Sequence, residues 1–422
     1  MAQLTDDCFA FAGPLLPLDE MERLIAERVA SVAECEEVPL RAALGRVLAA
    51  DVIAAVDVPP FDNSAVDGFA VRSQDLDPQA ETKLLVVDRV AAGHAPLRPL
   101  GAGEATRIFT GAPMPAGADT VFMQEDIRRE GDFVLLPPGL KRGANQRLAG
   151  EDVCAGAVIL PAGRRLAAAH LALAAAVGLT RLPVRRRVRV AMFSTGDEIV
   201  EPGSQRPHPA LFDSNRYLLD GLLVRLGAEI TDLGILSDRP EQLATALTAA
   251  AASHDLVLTS GGVSTGEADH VREVLEKIGR LVFWRVGIKP GRPVAMGVIP
   301  GGSANAAFIG LPGNPAAVFV TFARVVRPLL LRLAGALPEP LIALPVRAAF
   351  GYKKRTGRRE YVRVSLRRGA NGDVEAVKYP KDGAGIITSL TETDGLVELD
   401  EETTTVTPGT TVGFLSYAVL TS

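Results

Sequence analysis

Between Arg187 and about Arg332 the chain alternates apolar strand-like runs with helix-like runs, and this alternation limits the fold more than any other feature. The spacing predicts strands over 188–193, 229–235, 256–259, 281–286, 294–298 and 308–311, and helices over 216–226, 241–252, 269–278 and 315–333. Strand, helix and strand in succession make a crossover unit. Repeated, such units build a doubly wound, mainly parallel α/β sheet with helices on both faces. Ligands of such sheets bind outside the carboxyl ends of the strands, so the loops that follow the strands are the ones to read for chemistry.

The flanking segments have other textures. The first 50 residues read as helical: Leu18, Met21, Leu24, Ile25 and Val29 recur at three- and four-residue spacing, with Asp19 as the expected N-cap. From Asp51 to Gly163, short apolar runs are punctuated by Gly and Pro, which predicts a β-rich module. A helical patch follows over 165–177. After Pro338-Glu339-Pro340, strands are expected over 342–350, 360–366, 374–378 and 411–415. The 422 residues exceed one ordinary core, at about 150 residues per domain. The expected division is a helical linker (1–50 with 164–186), a β-rich domain (51–163), the α/β domain (187–335) and a C-terminal β domain (336–422).

Four loops sit at the carboxyl edge of the expected sheet. Ser194-Thr195-Gly196-Asp197-Glu198 is the first and Ser260-Gly261-Gly262-Val263-Ser264-Thr265-Gly266 the second. Small residues let backbone N–H groups approach a ligand, and a helix N-terminus adds positive potential, so the second loop fits a phosphate or oxyanion cradle. A tight strand-to-helix turn would need the same glycines. The third, Leu311-Pro312-Gly313-Asn314-Pro315, reads equally as capping chemistry. The fourth is basic, Arg285-Val286-Gly287-Ile288-Lys289-Pro290-Gly291-Arg292-Pro293; Lys289 and Arg292 flank a rigid turn and suit one shared anion, or a solvated basic turn. Acids gather nearby: Asp197, Glu198, Asp213, Asp238, Glu267 and Asp269. Beside anion cradles, acids suit Mg²⁺, while Asp213 and Asp269 also suit helix starts.

Other chemistries are excluded. Gly262-Val263-Ser264-Thr265-Gly266 matches a serine nucleophile elbow, but the only later histidine is His270, in the adjoining helix. Lys and Arg number 45 against 50 Asp and Glu, a net charge of −5, which argues against a general nucleic-acid or membrane binder. The apolar run from Leu166 to Leu179 is shorter than the roughly 18 residues of a spanning helix. Residues 1–17 contain no Lys or Arg, unlike a secretory signal. Cys8, Cys35 and Cys154 lie far apart, without a Cys-x-x-Cys, so a soluble cytoplasmic protein with reduced thiols is expected.

Six motifs together resemble the molybdopterin molybdenumtransferase family, the MoeA type related to the E domains of gephyrin and of its plant counterpart. They are Asp62-Asn63-Ser64-Ala65-Val66-Asp67-Gly68-Phe69-Ala70-Val71, Thr110-Gly111-Ala112-Pro113, and the four carboxyl-edge loops. The match runs in order from about residue 15 to the C-terminus. The resemblance implies an elongated, four-domain homodimer with a MoaB/Mog-like α/β domain, a C-terminal β-barrel-like domain and a site shared between subunits. It implies insertion of molybdate into adenylylated molybdopterin with release of AMP, aided by Mg²⁺. It assigns catalytic roles to Asp67, Thr110, Glu198, Asp238 and Asp269, with Glu198 and Asp269 as Mg²⁺ ligands. Ser260, Gly261, Gly262, Ser264, Gly266, Pro312, Gly313, Asn314, Pro315, Arg147 and Asp152 would bind molybdopterin or AMP. Lys289, Arg292, Arg358 and Ser389 would bind molybdate, Ser389 serving where several members carry a serine in place of Ala384 or Gly385. A molybdopterin adenylyltransferase and apo-molybdoenzymes would be transfer partners. Two other readings are a nucleotide-pyrophosphate hydrolase of the competence-damage-inducible type and a molybdopterin-binding scaffold.

Overall fold

The computed structural model describes residues 15–31, 34–262, 270–291, 293–301 and 304–422. At its centre is a six-stranded sheet ordered Glu229–Leu236, Arg189–Thr195, Leu256–Ser260, Ala306–Leu311, Pro293–Ile299, Arg280–Arg285. The first four strands run parallel; the last two are antiparallel to their neighbours. The sheet is therefore mixed, with its parallel part where crossovers were expected. Side chains alternate faces along each strand. Val190, Met192, Leu256 and Leu258 enter one apolar cluster, with helices Asn215–Arg225 and Leu18–Arg28. Ala191, Phe193, Val257 and Phe308 enter another, beneath helices Pro240–Ala251 and His270–Ile278. Two-sided burial explains why these strands read as continuous apolar runs.

The helix expected over 315–333 is interrupted. Pro315–Thr321 and Arg327–Leu333 are α-helical, joined by a π-helical turn, Phe322–Val326. Pro328 is the second residue of the following helix; it lacks an N–H and crowds the carbonyl of Arg324, which favours this widened turn.

The N-terminal segment is less helical than expected. One helix, Leu18–Arg28, buries Leu18, Met21, Leu24 and Ile25. Its N-cap is Pro17, not Asp19; Asp19 lies in the first turn, where its charge suits the helix dipole. Cys35–Pro39 is a strand, paired antiparallel with the sequence-distant Arg181–Arg185, a pairing that overrides local texture.

The β-rich module carries its own six-stranded sheet, ordered Thr120–Met123, Gly68–Val71, Glu104–Ile108, Thr82–Val90, Phe133–Leu136, Arg128–Glu130. Its two apolar clusters draw only on residues between Val66 and Leu140. The C-terminal strands Arg359–Arg368, Val374–Lys378, Leu344–Ala348, Thr411–Ser416 and Gly395–Leu399 pair in that order, and the last pairs back to the first. This is a closed five-stranded barrel, and Gly395–Leu399 is the strand that sequence texture did not suggest. A sixth strand, Ile288–Lys289, comes from the α/β region and runs parallel beside Arg359-Glu360. Among the described residues, no helix is long and apolar enough to cross a membrane.

Candidate active site

The carboxyl edge of the parallel strands brings two of the expected loops together. Ser260 ends the Leu256–Ser260 strand and is buried. Asn215, the first residue of its helix, donates from Nδ2 to Ser260 Oγ at 2.8 Å and to the Gly313 carbonyl at 2.7 Å. Gly261 N–H donates to the Leu311 carbonyl at 3.1 Å. The second and third loops are thus tied side by side. Gly262 has φ +65°, and a Cβ there would lie 2.6 Å from Val271 Cγ2, so only glycine fits this turn. Asn314 stands at the N-cap position of the Pro315–Thr321 helix, and its side chain makes no cap hydrogen bond there. The first free N–H of that helix, on Ala316, is taken by the Ala384 carbonyl at 2.9 Å. The barrel loop around Ala384 therefore covers the helix start.

Two acids flank the first loop. Asp238 accepts from Thr195 Oγ1. The Glu198 carboxylate lies beside Gly196, where a Cβ would stand 2.8 Å from Oε2. Asp213 is committed elsewhere: it precedes the N-cap Ser214, accepts from Arg216 N–H at 3.2 Å in the first turn and pairs with the Arg216 guanidinium at 3.2 Å. Ser264, Gly266, Glu267, Asp269 and Arg292 lie outside the described residues.

A cationic cluster forms where the α/β layer meets the barrel. Lys289 Nζ donates to Glu360 Oε2 at 3.0 Å, and Arg358 Nε donates to Glu360 Oε1 at 2.8 Å. The Tyr352 hydroxyl donates to Glu360 Oε2 at 2.8 Å. Burial alone would raise the Glu360 pKa; the hydrogen bonds from Tyr352, Lys289 and Arg358 outweigh it and hold the carboxyl below its ordinary range. Burial, and then the Glu360 carboxylate, push the Tyr352 phenol well above its usual value. Ser389 does not join this cluster. It is fully buried in a short helix, and its hydroxyl donates to the Ile386 carbonyl.

A third constellation lies in the β-rich module. Asp67 Oδ1 accepts from Thr110 N–H at 2.9 Å and from Thr110 Oγ1 at 2.8 Å. These two bonds, with Arg107 nearby, hold the Asp67 carboxyl below its ordinary value. Gly68 is required beside it, because a Cβ would lie 1.8 Å from the Phe122 carbonyl oxygen. Arg147 pairs by backbone with Asn63, and Asp152 N–H donates to the Val58 carbonyl at 3.0 Å. Arg147 thus lies beside the Asp62–Val71 motif, whereas Asp152 lies beside Val58, where Val153 packs with Val177 after the Ala168–Ala176 helix; Arg147 and Asp152 are exposed.

Comparison with known proteins decides what carries these constellations. Residues 16–178 match the model of the MoeA N-terminal region (domains I and II). Residues 191–332 match a probable molybdopterin-binding domain, and residues 345–417 the MoeA C-terminal region (domain IV). The molybdopterin molybdenumtransferase of Haemophilus influenzae is 37% identical over 406 residues, 94% of this chain and 98% of that protein. This chain belongs to the molybdopterin molybdenumtransferase family. A second relative of that name, from Nostoc, is 41% identical over 315 residues, 74% of this chain and 72% of its own length. Among solved structures, the molybdopterin biosynthesis MoeA protein of Pyrococcus horikoshii superposes with a TM-score of 0.79 at 29% identity, covering 96% of this chain and all of that one.

Within this molybdenumtransferase architecture, three residues escaped sequence reading. Asn215 is the first residue of its helix, a position that in sequence gives no sign of the two loops it joins. Glu360 and Tyr352 lie at the two ends of the basic stretch that contains Arg358. Glu360 is two residues from Arg358 and directly opposite Lys289 in strand register, and only the second of these depends on the tertiary fold.

Among the described residues, no three Asp, Glu, His or Cys side chains converge into a metal cage. Mg²⁺ bound through substrate phosphates needs only one or two protein carboxylates. Glu198 and Asp238, either side of the Thr195-Gly196 turn, fit that more modest requirement.

Proposed function

We infer that the protein is a molybdenum insertase: it transfers molybdenum from molybdate to adenylylated molybdopterin and releases AMP in molybdenum-cofactor biosynthesis. The observation that carries this reading is the pairing of two cations from different domains, Lys289 and Arg358, at the edge of the sheet that also holds the tied glycine loops. Molybdate is a tetrahedral dianion and calls for such cations. The phosphates of the adenylylated pterin call for the backbone-lined turn of Ser260 to Gly262, which Asn215 holds against Gly313. Mg²⁺, held by Glu198 and Asp238, would neutralise phosphate charge. Asp67, kept ionised by Thr110, presents a carboxylate from the β-rich module. Because that module packs as its own unit, the reading extends to a homodimer in which Asp67 meets the α/β edge of the second copy. The hydrolase and scaffold readings are not favoured by relatives that are named as transferases and match nearly the whole chain.

The test is incubation with adenylylated molybdopterin, Mg²⁺ and molybdate while AMP is followed. AMP release that depends on molybdate is expected; release indifferent to molybdate would sink the proposal. Lys289→Ala is expected to raise the molybdate KM by about 10- to 100-fold, the range for losing a charge-assisted contact, with a smaller effect on the adenylylated substrate.

A further inference from the structure

Strand geometry gathers three charged groups at the seam between the α/β layer and the barrel. Arg358 lies in the bend that enters the Arg359–Arg368 strand, and its Nε reaches Oε1 of Glu360, the second residue of that strand, at 2.8 Å. The Ile288–Lys289 strand places Lys289 directly opposite Glu360. The Glu360 side chain is 1% exposed, against 48% for Lys289 and 33% for Arg358. A carboxylate is costly to bury unless donors occupy its oxygens. Here Arg358 takes one oxygen, and Lys289 with Tyr352 the other. One inner donor of each cation is thereby fixed on a single buried anion. Their half-exposed outer sides remain turned to solvent, and Arg358 uses only Nε among the described residues.

We propose that Glu360 is a positioning residue for oxyanion capture, holding Lys289 and Arg358 as one pincer whose outer donors take the tetrahedral dianion, so that it sets molybdate affinity rather than turnover. The proposal rests on the molybdenum-transfer reading above. Lys and Arg are long and flexible, and like charges repel; without Glu360 the two cations separate, and gathering them again opposes anion binding. The opposing effect is repulsion between Glu360 and the incoming dianion. It is muted because both Glu360 oxygens already face cations. Preorganisation therefore outweighs repulsion, and removing the carboxylate weakens molybdate binding instead of tightening it.

The experiment compares the wild type with Glu360→Ala, Glu360→Gln and Tyr352→Phe, measuring AMP release over a molybdate titration and over a titration of adenylylated molybdopterin. Glu360→Ala is expected to raise the molybdate KM about tenfold or more. Its kcat at saturating molybdate stays within about threefold, and the KM for adenylylated molybdopterin is unchanged. Glu360→Gln keeps the shape and one acceptor and falls between, and Tyr352→Phe gives about twofold. A purely structural role would move kcat and both KM values together and overturn the proposal. So would a molybdate KM that is unchanged or lower in Glu360→Ala or Glu360→Gln, since repulsion would then dominate. Should Glu360→Ala not fold, the graded order of Glu360→Gln and Tyr352→Phe carries the test, and no gradation refutes it. A wild type with no molybdate-dependent AMP release sinks the transfer reading and this proposal with it. An active wild type with unresponsive variants sinks this proposal alone.

Discussion

The Asp67–Thr110 pair and the Lys289–Glu360–Arg358 cluster are both centred on a carboxylate held below its ordinary pKa, yet they are built in opposite ways. Asp67 is partly open to solvent and is stabilised by neutral donors from a neighbouring loop of its own module. Glu360 is buried and balanced by cations, one of which arrives on a strand from another layer of the molecule. The first arrangement leaves a negative charge free to act on something outside the module. The second uses its negative charge internally and leaves positive charge facing outward. The contrast is between a self-contained unit that presents a negative group and a seam that exists only where two layers meet.

The contrast can be broken most sharply at Gly68. A methyl group there collides with the Phe122 backbone, so Gly68→Ala is expected to cost the module about 3 kcal/mol. If the module is self-contained, calorimetry will show its transition moving down alone while the α/β and barrel transition stays. A single transition shifting as a whole would erase the distinction.

A subunit mixture sharpens it next. Assayed at molybdate well below the raised KM of Lys289→Ala, Asp67→Asn and Lys289→Ala are each expected to be nearly inactive. Co-refolded as equal parts, they give about half mixed dimers with one intact shared site each, so about a quarter of wild-type activity returns. No recovery would place Asp67 and Lys289 in the same chain's site, or in no common site.

Asn215→Ala probes the tie between the two glycine loops. It removes donors to Ser260 and Gly313, and about a tenfold fall in kcat/KM for adenylylated molybdopterin is expected, with about 1 kcal/mol lost from stability. An unchanged kcat/KM would show that the loops hold their places without it.

The smallest effect concerns the Asp67 carboxyl. Its folded pKa is lowered, so its contribution to stability is present above the ordinary carboxylate pKa and is lost as pH falls through the folded value. Thr110→Val removes the hydroxyl bond and should move the Asp67 titration upward, read by NMR of the side-chain carboxyl. A titration that does not move would mean that the Thr110 N–H alone sustains the shift.

Much of the fold is legible in the chain. Strands expected over 256–259 and 308–311 are Leu256–Ser260 and Ala306–Leu311, because strands buried on both faces must be apolar throughout. The Cys35–Pro39 strand was hidden because its partner is remote in sequence. Gly395–Leu399 was hidden because it opens on a glycine, required where a Cβ would meet the Leu415 carbonyl at 2.2 Å. The loops at the carboxyl edge were readable from their glycines and cations. Ser389 was not, because a hydroxyl near the right place in sequence carries no sign of being turned inward.

By itself, then, the sequence determined the crossover architecture, the glycine turns and the residues with charge to offer, since periodicity, φ > 0 and charge are local properties of the chain. Tertiary structure alone decided that Lys289 and Arg358 share Glu360, that Asn215 joins two loops, and that the Ala384 carbonyl closes the start of the Pro315 helix. These contacts depend on register between strands and on layers meeting across large sequence separations, and no local pattern encodes a distance of that kind.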